Sequence, residues 1–286
     1  MKRLKRRIGK TEFQVFPIGL GAMPLSVDGR PDREHGRQVV RDAVAAGCDF
    51  IDTANSYCLD ETDKGHNEQL IREALSSIKT TRRVVVATKV GCTRLKGGWQ
   101  MDCRPESIRK ACDKSLKDLG IKQFDLYYLH AEDSNVPLEE SMGSLKDLQA
   151  EGKIKHLGVS NFDQGQLERA LKVIRVEAVQ NRQHLFKQND FKSGLVEFCA
   201  QEQIAYVAHS PVGGHHQHTE ANQVSELKDM AKKYNTSTYC IMLHWLLRQS
   251  ENVFAIPGAS KSSSILDSFK ALDFEMLDED LGRFSG

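Results

Sequence analysis

Eight short aliphatic runs alternate with longer amphipathic stretches along the 286 residues, and no other feature restricts the fold as strongly. The runs are FPIGLG (16–21), CDFIDT (48–53), RVVVATKV (83–90), FDLYYLH (124–130), IKHLGVS (154–160), VEAVQ (176–180), IAYVAHS (204–210) and VFAIPG (253–258). Their length and β-branched content predict strands. Helical spacing predicts helices over 33–47, 66–78, 105–119, 138–151, 163–173, 192–203, 224–247 and 262–272. Pro105 and Pro137 suit first helical turns, and Glu106, Glu139 and Glu140 place negative charge at the positive ends of helix dipoles. Gly47, Gly120 and Gly152 fall where C-terminal caps form. Strands separated by helices pair in parallel, which makes this an α/β protein. Eight such units at this length fit a closed (β/α)8 TIM barrel better than an open sheet. The segment IGKTEFQV (8–15) adds an N-terminal β-hairpin before the first barrel strand. With no linker, low-complexity tract or break in composition, residues 1–286 read as a single domain.

The charge balance removes several classes of partner. A formal net charge of +1 gives no field for nucleic acid or an anionic membrane. The basic start, MKRLKRR, has no apolar run behind it and reads as a solvated arm rather than a secretory signal. No stretch approaches the roughly 18 apolar residues of a membrane helix. The seven cysteines (Cys48, Cys58, Cys92, Cys103, Cys112, Cys199, Cys240) contain no Cys-x-x-Cys pair. That argues against a disulfide framework or a structural zinc site and for a reducing compartment. The expectation is a cytoplasmic protein with no nucleic-acid or membrane partner and no obligate protein partner.

In a barrel of this kind, the loops after the strands converge on one rim, where chemistry sits. Asp52, Lys89 and His130 stand at the ends of three consecutive runs, and Tyr57 lies in the loop just after Asp52. A phenol titrates near pH 10, too high for easy proton exchange at neutrality. A nearby ammonium lowers that value by about 1–3 units, so Lys89 is expected to pull the Tyr57 pKa down. Asp52 then holds Lys89 charged, and His130 directs a carbonyl oxygen. The set reads as a proton donor aimed at a carbonyl. Side chains do not supply hydride, so a redox cofactor is needed. The dinucleotide fingerprint is absent, since GLGAMP (19–24) lacks a third glycine and runs into Pro24. IPGASKSSSIL (256–266) offers a phosphate site instead: a turn at Pro257 and Gly258, then Ser260, Lys261 and serines leading into a helix.

Together these residues resemble the aldo-keto reductase family over nearly the whole chain. GCDFIDTANSY (47–57) is similar to that family's Asp-Thr-Ala-x-x-Tyr signature, GKIKHLGVSNF (152–162) to its fifth-strand signature, and AIPGAS (255–260) to its C-terminal nucleotide motif. The resemblance implies Tyr57 as general acid, tuned by Lys89 and Asp52, with His130 orienting the substrate. It implies Ser160, Asn161 and Gln180 on the nicotinamide carboxamide, His209 stacking on the ring and Ser210 on the pyrophosphate. Gly258, Ser260, Lys261, Ser264 and Ser268 would grip the adenosine end, so NADPH is favoured over NADH. Ser264 and Ser268 replace the family's usual Arg and Asn, and His209 its usual aromatic ring. Cys58 replaces the glycine after the tyrosine, and its expected exposure predicts sensitivity to oxidants.

Trp99, in the loop after the third strand, is either a wall of the substrate pocket or packed on the barrel exterior. His215, His216 and His218 form a histidine-rich loop that a flexible polar segment explains without metal. The reading is an NADPH-dependent reductase of small reactive aldehydes and ketones with broad specificity. The alternatives are a nucleotide-sensing regulatory subunit on the same fold and a metal-dependent barrel hydrolase. The hydrolase would need more histidine and carboxylate ligands at strand ends than His130 and His209 provide.

Overall fold

The computed structural model describes residues 3–80, 82–214 and 218–284. Its centre is an eight-stranded parallel sheet formed by Leu20–Gly21 (β3), Phe50–Asp52 (β4), Val85–Val90 (β5), Phe124–Leu129 (β8), Ile154–Ser160 (β9), Ala178–Arg182 (β10), Ala205–His209 (β11) and Val253–Ile256 (β12). Parallel bridges Ile18–Ala255 and Gly21–Gly258 join the first strand segment to the last. The Gly19 amide donates to the Ala255 carbonyl (2.9 Å) and the Ala255 amide to the Pro17 carbonyl (2.8 Å), so the sheet closes into a (β/α)8 barrel. At Gly21 a side chain would lie 2.6 Å from the Ile256 carbonyl oxygen, so glycine is what lets this seam form. The G-x-G of GLGAMP therefore serves closure of the barrel.

Arg6–Arg7 (β1) and Gln14–Val15 (β2) pair as the N-terminal hairpin, whose first strand begins two residues before the expected segment 8–15. Ile8, Phe13 and Val15 of this hairpin pack with Phe50, Val85, Ala87, Leu126 and Phe254 in one cluster. The alternation of side chains along each strand sends these residues into the lumen, and the hairpin plugs the end opposite the catalytic rim. A second cluster fills the layer between strands and helices. Gly158 matters inside the barrel: any Cβ there would sit 2.4 Å from the Tyr128 ring.

Helices Arg33–Ala45 (α1), His66–Ser76 (α2) and Pro105–Leu119 (α3) follow the first three barrel strands. Pro105 opens α3 and Gly120 closes it in the left-handed region at φ 67°, as the capping signals predict. The expected helix 224–247 is two helices, Ser225–Lys233 and Thr238–Leu247. Asn235 turns left-handed at φ 50°, and the Ser237 hydroxyl accepts from the Cys240 amide to start the second helix. The expected helix 192–203 is shortened to Leu195–Gln201, with Gly194 at φ 83° separating it from a short helix, Asn189–Lys192, that the periodicity does not mark. Sequence periodicity also misses a small hairpin after β5, Cys92–Thr93 (β6) with Gln100–Met101 (β7), whose two-residue strands carry no periodic signal. Among the described residues, no helix is long and apolar enough to cross a membrane.

Candidate active site

Lumen-facing positions alternate along β5 from Val85 through Ala87, which puts Lys89 on the same face at the strand's C-terminal end. Asp52 ends the neighbouring strand β4, in register with Ala87. The Lys89 ammonium is fully buried and donates three hydrogen bonds. One goes to Asp52 Oδ1, one to the Thr53 carbonyl (2.9 Å) and one to the Tyr57 hydroxyl oxygen (2.8 Å). Three acceptors match the three N–H donors of a charged amine. The remaining carboxylate oxygen of Asp52 accepts from Gln180 Nε2 at 2.7 Å. Leaving either ion unpaired here costs several kcal/mol, and this set of contacts leaves neither unpaired.

Gln180 is thus a member of the buried network, which its place in the sequence did not suggest. Two consecutive residues in the first turn of α2 support the same pair from behind. Asn67 accepts from the Thr53 hydroxyl (2.5 Å) and donates to the Ala22 carbonyl and the Ser26 hydroxyl. Glu68 accepts from the Thr88 hydroxyl (2.6 Å), next to Lys89. Glu68 is completely buried, and burial is the main reason its carboxyl is pushed up to about 7. In sequence it looks like an ordinary acid at a helix start, so nothing there marks it as buried.

Tyr57 is buried, and its pKa is raised well above the usual phenol value, first by desolvation and then by the Asp52 carboxylate. This corrects the expectation of a lowered value: burial and the Asp52 carboxylate set the direction, although the Lys89 ammonium lies against the phenol oxygen. The His130 ring meets the Tyr57 ring edge-on, with centroids 5.8 Å apart. Burial, and then the Lys89 charge, push the His130 imidazole far below its usual pKa, so it is neutral at physiological pH. Among the described residues, its Nδ1 has no hydrogen-bond partner. Trp99 also meets Tyr57 edge-on, at 6.5 Å, and is 49% exposed, which places it at the mouth.

The ends of β9 to β12 carry the remaining candidates. Asn161 and Ser210 both turn left-handed, at φ 60° and 51°, directly after β9 and β11. Asn161 Nδ2 donates to the His130 carbonyl (2.9 Å) and to the Ser160 hydroxyl (3.1 Å). His209 places Nε2 3.4 Å from Asn161 Oδ1 and Nδ1 3.3 Å from the Ser210 hydroxyl. Burial pushes His209 down to about 3, so it too is a neutral ring. Beyond the seam, Gly258, Lys261 and Ser264 are exposed and Ser260 is half-buried. Helix Ser262–Phe269 has Lys261 at its N-cap with no side-chain cap, and the Ser264 amide turns back to the Lys261 carbonyl at 3.1 Å. Ser268 differs from the expected grip, because it is buried and its hydroxyl donates to the Ser264 carbonyl at 3.0 Å.

Cys58 corrects another expectation. It is buried, and burial pushes its thiol up to about 11, so it lacks the exposed thiolate that oxidants attack. His215 and His216 lie outside the described residues, and the side chain of His218 is not described. Among the described residues, no group of three or more His, Cys, Asp or Glu is arranged to hold a metal.

A model described as the aldo/keto reductase family matches residues 17–285. Pyridoxine 4-dehydrogenase of Escherichia coli is 31% identical, over 95% of this chain and 94% of that protein. Probable aldo-keto reductase 1 of Glycine max is 29% identical, over 96% of this chain and 86% of its own. An aldo-keto reductase from Klebsiella pneumoniae, solved in complex with NADPH, is 26% identical with a TM-score of 0.82, covering 100% of this chain and 95% of that one.

Proposed function

The chain belongs to the aldo/keto reductase family of NAD(P)H-dependent oxidoreductases, and from that premise we propose that it reduces small aldehydes and ketones to alcohols with NADPH, Tyr57 giving the proton. When bound, the dinucleotide supplies hydride to the carbonyl carbon. The chain's own residues do the rest. Because Lys89 donates to the Tyr57 oxygen, the phenol's own hydrogen is left to point away from Lys89, toward a carbonyl oxygen in the mouth. The neutral His130 can donate to that same oxygen and fix its direction. As the proton leaves, Lys89 stands beside the forming phenolate with its charge already oriented by Asp52. The raised pKa keeps Tyr57 protonated through neutrality, the form a proton donor needs.

The residues present fit a dinucleotide laid along the rim. Ser160 and Asn161 offer polar groups beside His130, and His209 offers a flat neutral ring. The start of helix Ser262–Phe269, which has no side-chain cap, with Ser260, Lys261 and Ser264, suits a phosphate, which supports NADPH over NADH. Gln180 holds Asp52 with its amide, and the Ser268 hydroxyl is turned back onto the Ser264 carbonyl of its own helix.

The observation that carries this reading is the three-way donation of buried Lys89 to Asp52, Thr53 and Tyr57. The test is loss of reduced-nicotinamide absorbance with propanal, benzaldehyde and pyridoxal, the last because of the E. coli relative's name. Native protein should turn over, and Tyr57→Phe should lose about 10²-fold or more. Binding of NADPH without turnover of any carbonyl would instead favour the nucleotide-sensing reading.

A further inference from the structure

Arg94 is buried, at 3% exposure, although it lies in the loop between β6 and β7 beside the mouth. Its contacts join two segments that share no strand. The guanidinium donates to the carbonyls of Cys58 and Leu59, the two residues after Tyr57, at 3.2 Å each. Its backbone amide donates to Glu61 Oε1 at 2.5 Å. The guanidinium carbon lies 4.1 Å from the centroid of the Trp99 ring, in a stacking contact. Trp99 is otherwise 49% exposed and meets Tyr57 edge-on.

A half-exposed indole on a loop has many rotamers, and holding it in one costs side-chain entropy unless something braces it. Arg94 is that brace. Its planar fork is fixed by two carbonyls of the Tyr57 loop, and its flat face lies on the indole. We infer that Arg94 is a positioning residue that sets specificity, holding Trp99 as a fixed wall beside Tyr57 so that the site favours aldehydes with a flat aromatic body over short aliphatic ones. This rests on the reductase reading and names its substrate class.

The test compares native protein, Arg94→Met and Arg94→Lys with benzaldehyde and propanal at saturating NADPH. Arg94→Met keeps a long apolar stem but loses the fork and the charge. Its KM for benzaldehyde should rise about tenfold, the scale of one well-placed aromatic contact, with kcat held within roughly threefold. The KM for propanal should move by less than about threefold, and Arg94→Lys should restore part of the loss through its cation. The chain has two tryptophans, and Trp245 is 1% exposed, so acrylamide quenching reports Trp99. Quenching should increase in Arg94→Met. Equal shifts for both aldehydes, or unchanged quenching, would overturn the inference. Were Arg94→Met not to fold, Arg94→Lys, which also lacks the planar fork, carries the same comparison. If the native protein reduces neither aldehyde, the reductase reading fails on its own account, and the quenching result still decides whether Arg94 braces Trp99.

Discussion

The two ends of the rim are built on opposite terms. Around Lys89 the polar contacts are mutual and buried: the ammonium has three acceptors, Asp52 has two donors, and α2 clamps the flanking threonines. Around Lys261 the donors face outward, with an exposed lysine, an exposed serine and the uncapped start of a helix. The first region is organised before any ligand arrives, as transition-state stabilisation requires. The second gains its order from a ligand's charge. Substitutions in the first should therefore change rate and stability together, and substitutions in the second should change affinity alone.

The sharpest way to break this contrast is Lys89→Met. It removes the charge beside the forming phenolate and strands Asp52 in the barrel. We expect kcat to fall by roughly 10²-fold or more, with about 3–5 kcal/mol of stability lost to the unpaired carboxylate. Adding Asp52→Asn should return much of the stability, read by urea unfolding, and none of the rate. Recovery of both would mean the pair is a packing element only.

Glu68 tests how complete the buried network is. One of its oxygens accepts from Thr88, and Ser115 lies beside the carboxyl and lowers its pKa, against the larger effect of burial. With the folded carboxyl at about 7 against 4.5 unfolded, folding favours the protonated form. The contribution is fully present below pH 4.5 and is lost as pH rises through 7, a swing of about 3 kcal/mol on the scale of 1.36 kcal/mol per unit. Glu68→Gln keeps an acceptor for Thr88 and cannot ionise. Its stability should be flat across this window by comparison, and above pH 7 it should equal or exceed that of the native chain. Identical pH dependence in the two proteins would show that Glu68 does not titrate there. Asp118 raises its pKa while Lys114 lowers it, so the same series in Asp118→Asn separates their share.

The direction of the Tyr57 shift gives a kinetic signature. Reduction needs the phenol and oxidation of an alcohol needs the phenolate. With the Tyr57 pKa raised by burial and by Asp52, reduction should be nearly level across neutrality, and oxidation should climb steadily with pH into the alkaline range. An oxidation rate that levels off near pH 7 would restore the lowered pKa that adjacent charge alone suggests.

That difference also marks what the sequence could convey. The barrel was legible because strand-length apolar runs keep a fixed alternation with helical ones, and Asp52, Lys89 and His130 stood out as ionisable residues ending such runs. Burial of Tyr57 was not legible, because it depends on packing by loops from other strands. Gln180 reaches Asp52 across 128 residues of chain, and no spacing rule joins them. The split at Asn235 was readable in hindsight from Asn and Ser in YNTSTY, where a continuous apolar period outweighed the turn residues.

The smallest expected effect lies at the open end, and it decides whether that end is a separate device. Lys261 is exposed at the start of helix Ser262–Phe269, so its charge acts through solvent and is screened by salt. Lys261→Ala should raise KM for NADPH by about five- to tenfold at low salt, within the range of a single partly exposed charge contact. KM for NADH should stay within about twofold, because NADH has no 2′-phosphate to lose. The NADPH effect should shrink as ionic strength rises, while kcat with saturating NADPH remains that of the native chain. The last condition is the demanding one. If kcat fell along with affinity, the phosphate end would be coupled to the Lys89 network across the rim, and the two regions would have to be treated as one preorganised site. If kcat held while NADPH discrimination vanished, the adenosine end contributes binding energy only, and the chemistry rests on the groups that β4, β5 and α2 hold in place.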